Sequence, residues 1–534
     1  MMFEYVCQTW TLSPYGLAPI FVGVSIINIQ HNMTYEKNFE STTKFIHELT
    51  QEEVTISGLP FTEKEARLSI NERRPSFLLP TKEMIKMIAM DMEGTTQFKS
   101  LEVSMSNENY EISRANLSFS SEENGDDYDY TCQIKFSRFM DSRWDEEAEY
   151  FYRLFLPIKE HNWRDLVHST AYYQHSVYRS TPTESLIRID FGGGGQVHVF
   201  SIRSGQDNFL VIESQFPCTY NDMNRYMYVI SLSLGLVTTI APFDYVIVVT
   251  SKTSDFEGEI MGGIVKLRST IKSQHRFITT DISELYKNLK EKVDYDALSP
   301  YCGKDGNLLR SYLDPMTEQE FSALARMLYE NKALARATLI LLLTPMVYEF
   351  MGALYSVVLE TICSALTEDK EGAYMESKDW KSVLPELKKT LSDFCEEHSS
   401  ITDEHKDVMI KKLDDFNRQT NRDKLKASFE RIGYKLSGPE NKVIGDRNRF
   451  LHGNVHEYPS DGSLLKSELL YSSMELRKLC GILLFRYAGY KGPILNNAVE
   501  IGFEEALANK EPLFITYEEK TESPQLTEKP ETSV

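Results

Sequence analysis

The residues with the clearest chemical potential lie together in the segment Gly445-Asp446-Arg447-Asn448-Arg449-Phe450-Leu451-His452-Gly453. Arg447, Asn448 and His452 follow the spacing Arg-Asn-x-x-x-His. A histidine near neutral pKa can give or take a proton in a phosphodiester step. A guanidinium can grip phosphate oxygens through two parallel hydrogen bonds while charge builds on them, and Asn448 can hold a phosphate oxygen or orient the histidine. Residues five apart on a helix are turned about 140° from one another, so Arg447 and His452 meet one phosphate only if the turn loosens or the phosphate reaches both. A structural alternative stands beside this chemistry: Arg447 pairs with a carboxylate such as Asp446 or with a helix end, and His452 caps a turn before Gly453. Arg449 adjoins the motif as a supporting cation. Glu349 and Glu360, on one helical stripe, are carboxylates that either lean on Arg447 from a neighbouring helix or stay solvated or structural.

The elements that must position this segment are helical. Thr317 to Glu320 has the form of a capping box, in which a threonine oxygen and a glutamate carboxylate satisfy free amides at a helix start. Thr344-Pro345 resembles a second start, followed by a stripe of Val347, Phe350, Met351, Leu354 and Val358. Further helices are expected over Trp380 to Glu397, Asp403 to Phe416 and Arg422 to Ile432. Leu465, Leu469, Ser472, Leu476, Leu479 and Leu483 step by three and four, which predicts a final helix with a seam facing the core or a partner.

Ahead of these helices the pattern is different. Phe21 to Ile29, Val54 to Ser57, Ala66 to Asn71, Leu101 to Met105 and Thr131 to Phe136 are rich in β-branched or aromatic residues and predict a sandwich or open barrel. Ser121 to Tyr130 reads as an acidic loop whose spacing does not match a calcium loop. Leu186 to Phe191 and Val197 to Arg203 alternate around Gly192 to Gln196 and predict a hairpin, because the glycines run into a second strand and not into a helix start as a phosphate loop would. His198, in that hairpin, reads as a packed or surface histidine and not as a ligand. Asn208 to Glu213, a helix over Thr219 to Leu236 and a strand over Asp244 to Thr250 complete a mixed segment. The chain thus reads as multidomain α+β: a β-rich domain over 1–160, a mixed α/β domain over 161–305, an all-α domain over 306–516 and a disordered tail over 517–534.

Composition bounds the function. With 534 residues and 41% apolar content the chain is long enough for several packed domains. Its 58 basic and 79 acidic residues leave a net charge of −21, which argues against a general coat for nucleic acid and allows only a local basic site. Residues 405–449 supply such a window, with 12 basic and 7 acidic side chains. Seven scattered cysteines form neither a disulfide framework nor a metal ribbon, no cofactor motif is present, and no segment reads as a membrane span or secretory leader. A cytoplasmic setting is expected.

The matched Arg447, Asn448 and His452, set in a helical C-terminal region just ahead of the last long helix, resemble the signature of the HEPN superfamily (higher eukaryotes and prokaryotes nucleotide-binding). The similarity covers roughly residues 310–500. The wider layout is similar to the ApeA-like HEPN proteins of bacterial anti-phage defence. This resemblance implies an all-α HEPN bundle and a metal-independent endoribonuclease, a toxic effector of abortive infection cutting RNA, tRNA by family analogy, to 2′,3′-cyclic phosphate ends. His452 would act as general base or acid, Arg447 would stabilise the transition state and Asn448 would position it. It further implies a homodimer or higher homo-oligomer with a composite site, joined through the last helix, and a phage-derived trigger sensed by the N-terminal domains. The alternative is a non-catalytic HEPN-like module that binds a nucleotide or a protein, or only dimerises.

Overall fold

The computed structural model describes residues 33–51, 53–57, 64–71, 74–80, 96–105, 108–124, 127–158, 166–175, 184–193, 195–204, 207–280, 315–343, 348–366, 374–398, 400–414, 416–417, 420–451 and 463–517. The expected strand at Phe21 to Ile29, the Thr344-Pro345 helix start and the tail beyond Tyr517 lie outside them. A large β-sheet occupies the N-terminal half and helices the C-terminal half.

Among the described residues one sheet has 15 strands. In chain order they begin with β1 (Met33–Lys37), β2 (Glu53–Ser57), β3 (Lys64–Asn71), β4 (Arg74–Pro80), β5 (Thr96–Met105), β6 (Glu108–Asn124), β7 (Asp127–Lys135) and β8 (Arg138–Asp141). They continue with β9 (Phe151–Ile158), β10 (Ala171–His175), β11 (Glu184–Asp190), β12 (Gln196–Ser204), β13 (Asp207–Ser214), β14 (Tyr245–Ser251) and β15 (Ile260–Lys266). The spatial order is β1-β10-β11-β12-β13-β9-β14-β15-β8-β6-β5-β2-β3-β4-β7, and β6 also pairs with β7. That extra pairing closes β6, β5, β2, β3, β4 and β7 into a ring, so the barrel is closed where an open one or a sandwich was expected. Arg114, at φ 53°, marks where one edge of β6 passes from pairing with β8 to pairing with β7; such a local twist re-aims a strand.

The middle strands alternate between two buried faces. Leu154, Val199, Leu210 and Val248 lie in one core, while Phe155, Phe200, Val211 and Ile247 lie in the other. Both faces are dry, which is why these strands read as nearly continuous apolar runs. One face carries α1 (Glu40–Gln51); the other carries α2 (Tyr220–Thr238), whose N-cap Thr219 accepts from the Asp222 amide. The C-terminal helices share that second core.

Three expectations are corrected. Ser121 to Tyr130 is not a loop: Ser121 to Asn124 and Asp127 to Tyr130 are paired arms of the β6–β7 hairpin, since cross-strand pairing outweighs the low strand preference of acids. The boundary at residue 160 does not separate two sheets, because β9 lies between β13 and β14. The segment 306–516 is helical but not all-α: Met316–Thr317 pairs with Val167–His168, and Ile494–Leu495 pairs with Phe514–Ile515.

A close approach holds β15 to its neighbours. A Cβ on Gly263 would stand 2.0 Å from the Phe139 carbonyl oxygen, an obstacle of backbone that no rotamer relieves. Gly263→Ala is expected to cost about 3 kcal/mol, the upper end of ordinary overpacking, read as a fall in the urea midpoint. A loss under about 1 kcal/mol would mean that the β8–β15 contact is not tight in solution.

The C-terminal half contains α3 (Glu318–Glu330), α4 (Lys332–Leu342), α5 (Tyr348–Leu366), α6 (Ser377–Glu397), α7 (Asp403–Asp414), α8 (Asn421–Arg431), α9 (Gly438–Leu451) and α10 (Ser463–Tyr487). The capping box at Thr317 and Glu320 is present at the start of α3. On α5 the inward stripe is Met351, Tyr355, Val358, Leu359 and Ile362, whereas Phe350 is 62% exposed. Helix α10 buries more than one stripe: every residue from Ser473 to Arg486 is buried within the chain, as the central element of a larger assembly must be, and two short helices, Asn497–Ile501 and Glu504–Ala508, follow it.

Candidate functional site

Helix α9 is fixed at its start and along one face. The Ser437 amide donates to Glu440 Oε2 at 2.8 Å and the Glu440 amide donates back to Ser437 Oγ at 3.4 Å, a reciprocal cap that satisfies free first-turn amides. Glu440, Val443, Ile444 and Arg447 then follow at three- and four-residue steps and are all buried. Opposite them, Gly352 of α5 lets the chains come close, since a Cβ there would sit 3.0 Å from the Phe450 ring.

That approach brings Arg447 to Glu360, two turns beyond Gly352 on α5. Arg447 Nε donates to Glu360 Oε1 at 3.0 Å, Nη2 lies 2.9 Å from the same oxygen, and Nη1 donates to the Ile444 carbonyl at 3.0 Å. The guanidinium side chain is 2% exposed and that of Glu360 34%, so the carboxylate is the open edge of the pair. Although close to Glu360, buried Nη2 has no hydrogen bond of acceptable geometry, and a guanidinium nitrogen left so is costly unless something accepts from it. Cys363, one turn on from Glu360, is buried, and burial pushes its thiol up to about 12, which leaves it a poor nucleophile.

The expected site residues are thus only partly united. Arg447 and Glu360 meet, the lean from a neighbouring helix that the sequence offers for Glu349 or Glu360. Asn448 is exposed on the same helix. The side chains of Glu349 and Arg449 are outside the described residues, as is His452, which follows Leu451, the last described residue of α9. Arg447 and Asn448 lie in the closing turns of α9, which precedes the long helix α10 in the chain.

Two buried charge networks escaped the sequence reading. Lys478 of α10 reaches Glu475 Oε2 at 2.7 Å, Glu440 Oε1 at 3.1 Å and Glu511 Oε2 at 3.2 Å. Burial and the other two carboxylates push Glu475 up to about 8, and its Oε1 has no hydrogen-bond partner. Burial opposes the charge on Lys478, yet the three carboxylates hold its pKa above the ordinary value. The second network lies under α1. There Glu213 binds Lys37 and, at 2.7 Å, Arg153 Nε, while His198 Nδ1 is 3.2 Å from Lys37 Nζ. Burial opposes ionisation of Glu213, but Arg153 and Lys37 bring it down to about 2. Burial first and Lys37 second take His198 down to about 3, so this packed histidine is neutral. The sequence signal for both networks is a charged residue inside an apolar run, as with Glu475 and Lys478 within α10, Arg153 within β9 and Glu213 within β13.

Among the described residues no cluster of His, Cys, Asp and Glu could hold a metal ion, and no helix is long and apolar enough to cross a membrane. No protein-family model, curated protein or solved structure matches the chain.

Proposed function

We propose that this protein is a HEPN-type endoribonuclease that cuts RNA without a metal ion and serves as a toxic effector of anti-phage defence in the cytoplasm. The observation that carries this reading is a buried arginine held at Nε and Nη2 by a carboxylate from a second helix and followed by Asn448 in the motif that His452 completes. In the reaction the ribose 2′-oxygen bonds to phosphorus as its proton passes to a histidine. The bond to the 5′-oxygen breaks as that oxygen takes a proton, leaving a 2′,3′-cyclic phosphate and a 5′-hydroxyl. Arg447 meets the charge that grows on the phosphate oxygens, and Glu360 fixes the guanidinium plane. Phe350 and Val357, exposed at 62% and 44% on the helix that bears Glu360, offer apolar surface on which a second copy can bring its own Arg447 and His452. The strand-rich N-terminal half is left to sense the trigger and restrain the helices.

His452→Ala is expected to lower RNA cleavage at least about 100-fold, the lower bound of a general acid–base contribution, with unchanged melting temperature. Sequencing of cellular RNA ends after expression of wild type and variant checks it. Equal growth with cyclic-phosphate ends in neither strain sinks the nuclease reading. A second reading is favoured by the saturation of Arg447 with Glu360: the helices bind a nucleotide or a protein without cutting. Its mark is ligand-dependent stabilisation with no cleavage in any condition.

A further inference from the structure

Helix α9 presents Lys442, Gly445 and Asn448 to solvent at three-residue steps. Gly445 has no side chain to block this strip, and the Arg422 guanidinium of α8 lies across it, 3.8 Å from where a Cβ would stand. Arg422 is exposed and has neither an ion pair nor a hydrogen bond among the described residues, and the same holds for Lys442. The acid next to Arg422 in sequence is already engaged: Asp423 Oδ2 accepts from Thr420 Oγ1 and from the Tyr374 hydroxyl, each at 2.5 Å. In a chain with 79 acidic residues and a net charge of −21, most of the surface repels a polyanion, so affinity must come from cations that no carboxylate neutralises.

We infer that Arg422 and Lys442 hold backbone phosphates of the RNA and lead the strand along α9 past Gly445 to Asn448. This rests on the endoribonuclease reading and extends it to how the substrate is gripped. Arg422 touches no reacting atom in this role; it is a substrate-holding residue outside the motif.

The test uses the full chain carrying His452→Ala, so that bound RNA stays intact, with fluorescently labelled bulk tRNA titrated over a salt series. Adding Arg422→Glu is expected to weaken binding at least about tenfold and to reduce the slope of log Kd against log salt by about one, the mark of one lost phosphate contact. Its melting temperature should hold, because a glutamate suits the first turn of a helix. Arg422→Lys should keep the slope, and Lys381→Glu, on exposed α6, should leave both quantities within about twofold of the parent, since it lies outside the basic strip. Wild-type-like affinity and slope in Arg422→Glu would overturn the phosphate-holding role while leaving the nuclease intact. Absence of both tRNA binding in the parent and cleavage by wild type would overturn the nuclease reading and this inference together.

Discussion

Lys478→Met is expected to cost about 3–5 kcal/mol of folding stability at neutral pH, the range for removing one partner of a buried ion pair. Its ammonium is the shared partner of Glu440, Glu475 and Glu511 in a site where the Lys478 side chain is 3% exposed and that of Glu475 0%. Methionine fills similar volume, so the loss measures charge and not a cavity. Urea unfolding at pH 7 reads it, and a loss under about 1 kcal/mol would show that protons or water already balance the carboxylates. The three carboxylates come from α9, α10 and the C-terminal segment, so the variant should loosen the seat of the helix that carries Arg447.

The same site fixes a pH dependence with a definite sign. Glu475 sits at about 8 in the fold and near 4.3 in an unfolded chain. Below about pH 4 both states are protonated and the group contributes no penalty. As pH rises from about 4.3 to 8 the unfolded state releases a proton that the folded state keeps, so wild type loses stability. Glu475→Gln cannot follow. The variant should gain on wild type steadily between pH 5 and 8 and level off above, at most by about 1.4 kcal/mol per pH unit; a constant difference across that interval would refute the assignment.

Glu213→Ala is expected to be equally damaging, about 3–5 kcal/mol, for the mirror-image reason. Glu213 is the shared anion of Lys37 and Arg153, and the neighbouring His198 carries no charge at neutral pH to be lost in exchange. Two cations would remain in a site where Arg153 is 1% exposed. Arg153 also donates to the Asn38 carbonyl at 2.5 Å and to Thr42 Oγ1 at 3.0 Å, so hydrogen exchange in α1 should rise together with the loss. Lys37→Met leaves the Arg153–Glu213 pair whole and should cost less than half as much. Equal losses in the two variants would show that Lys37, not Arg153, carries the pair. Because Glu213 lies near 2 in the fold and near 4.3 when unfolded, its stabilisation is present above about pH 4.3 and fades as pH falls toward 2.

Local chemistry in this chain could be read from the amino-acid order. The Thr219 cap and the Thr317–Glu320 box concern groups three residues apart, and the strands of the hairpin at β11 and β12 announce themselves by alternation. Arg447, Asn448 and His452 are a motif for the same reason, since nine consecutive residues contain everything that defines them. Tertiary structure alone chose Glu360 over Asp446 for Arg447, across 87 residues of chain. It also closed β6 onto both β5 and β7 and enclosed α10, whose apolar steps fit a surface seam and a central helix equally well. The physical reason is common to all three. Periodicity and capping report what a residue needs within four positions, whereas the partner of a buried charge or a free strand edge is set by which distant element arrives to exclude water, and no local pattern encodes that arrival.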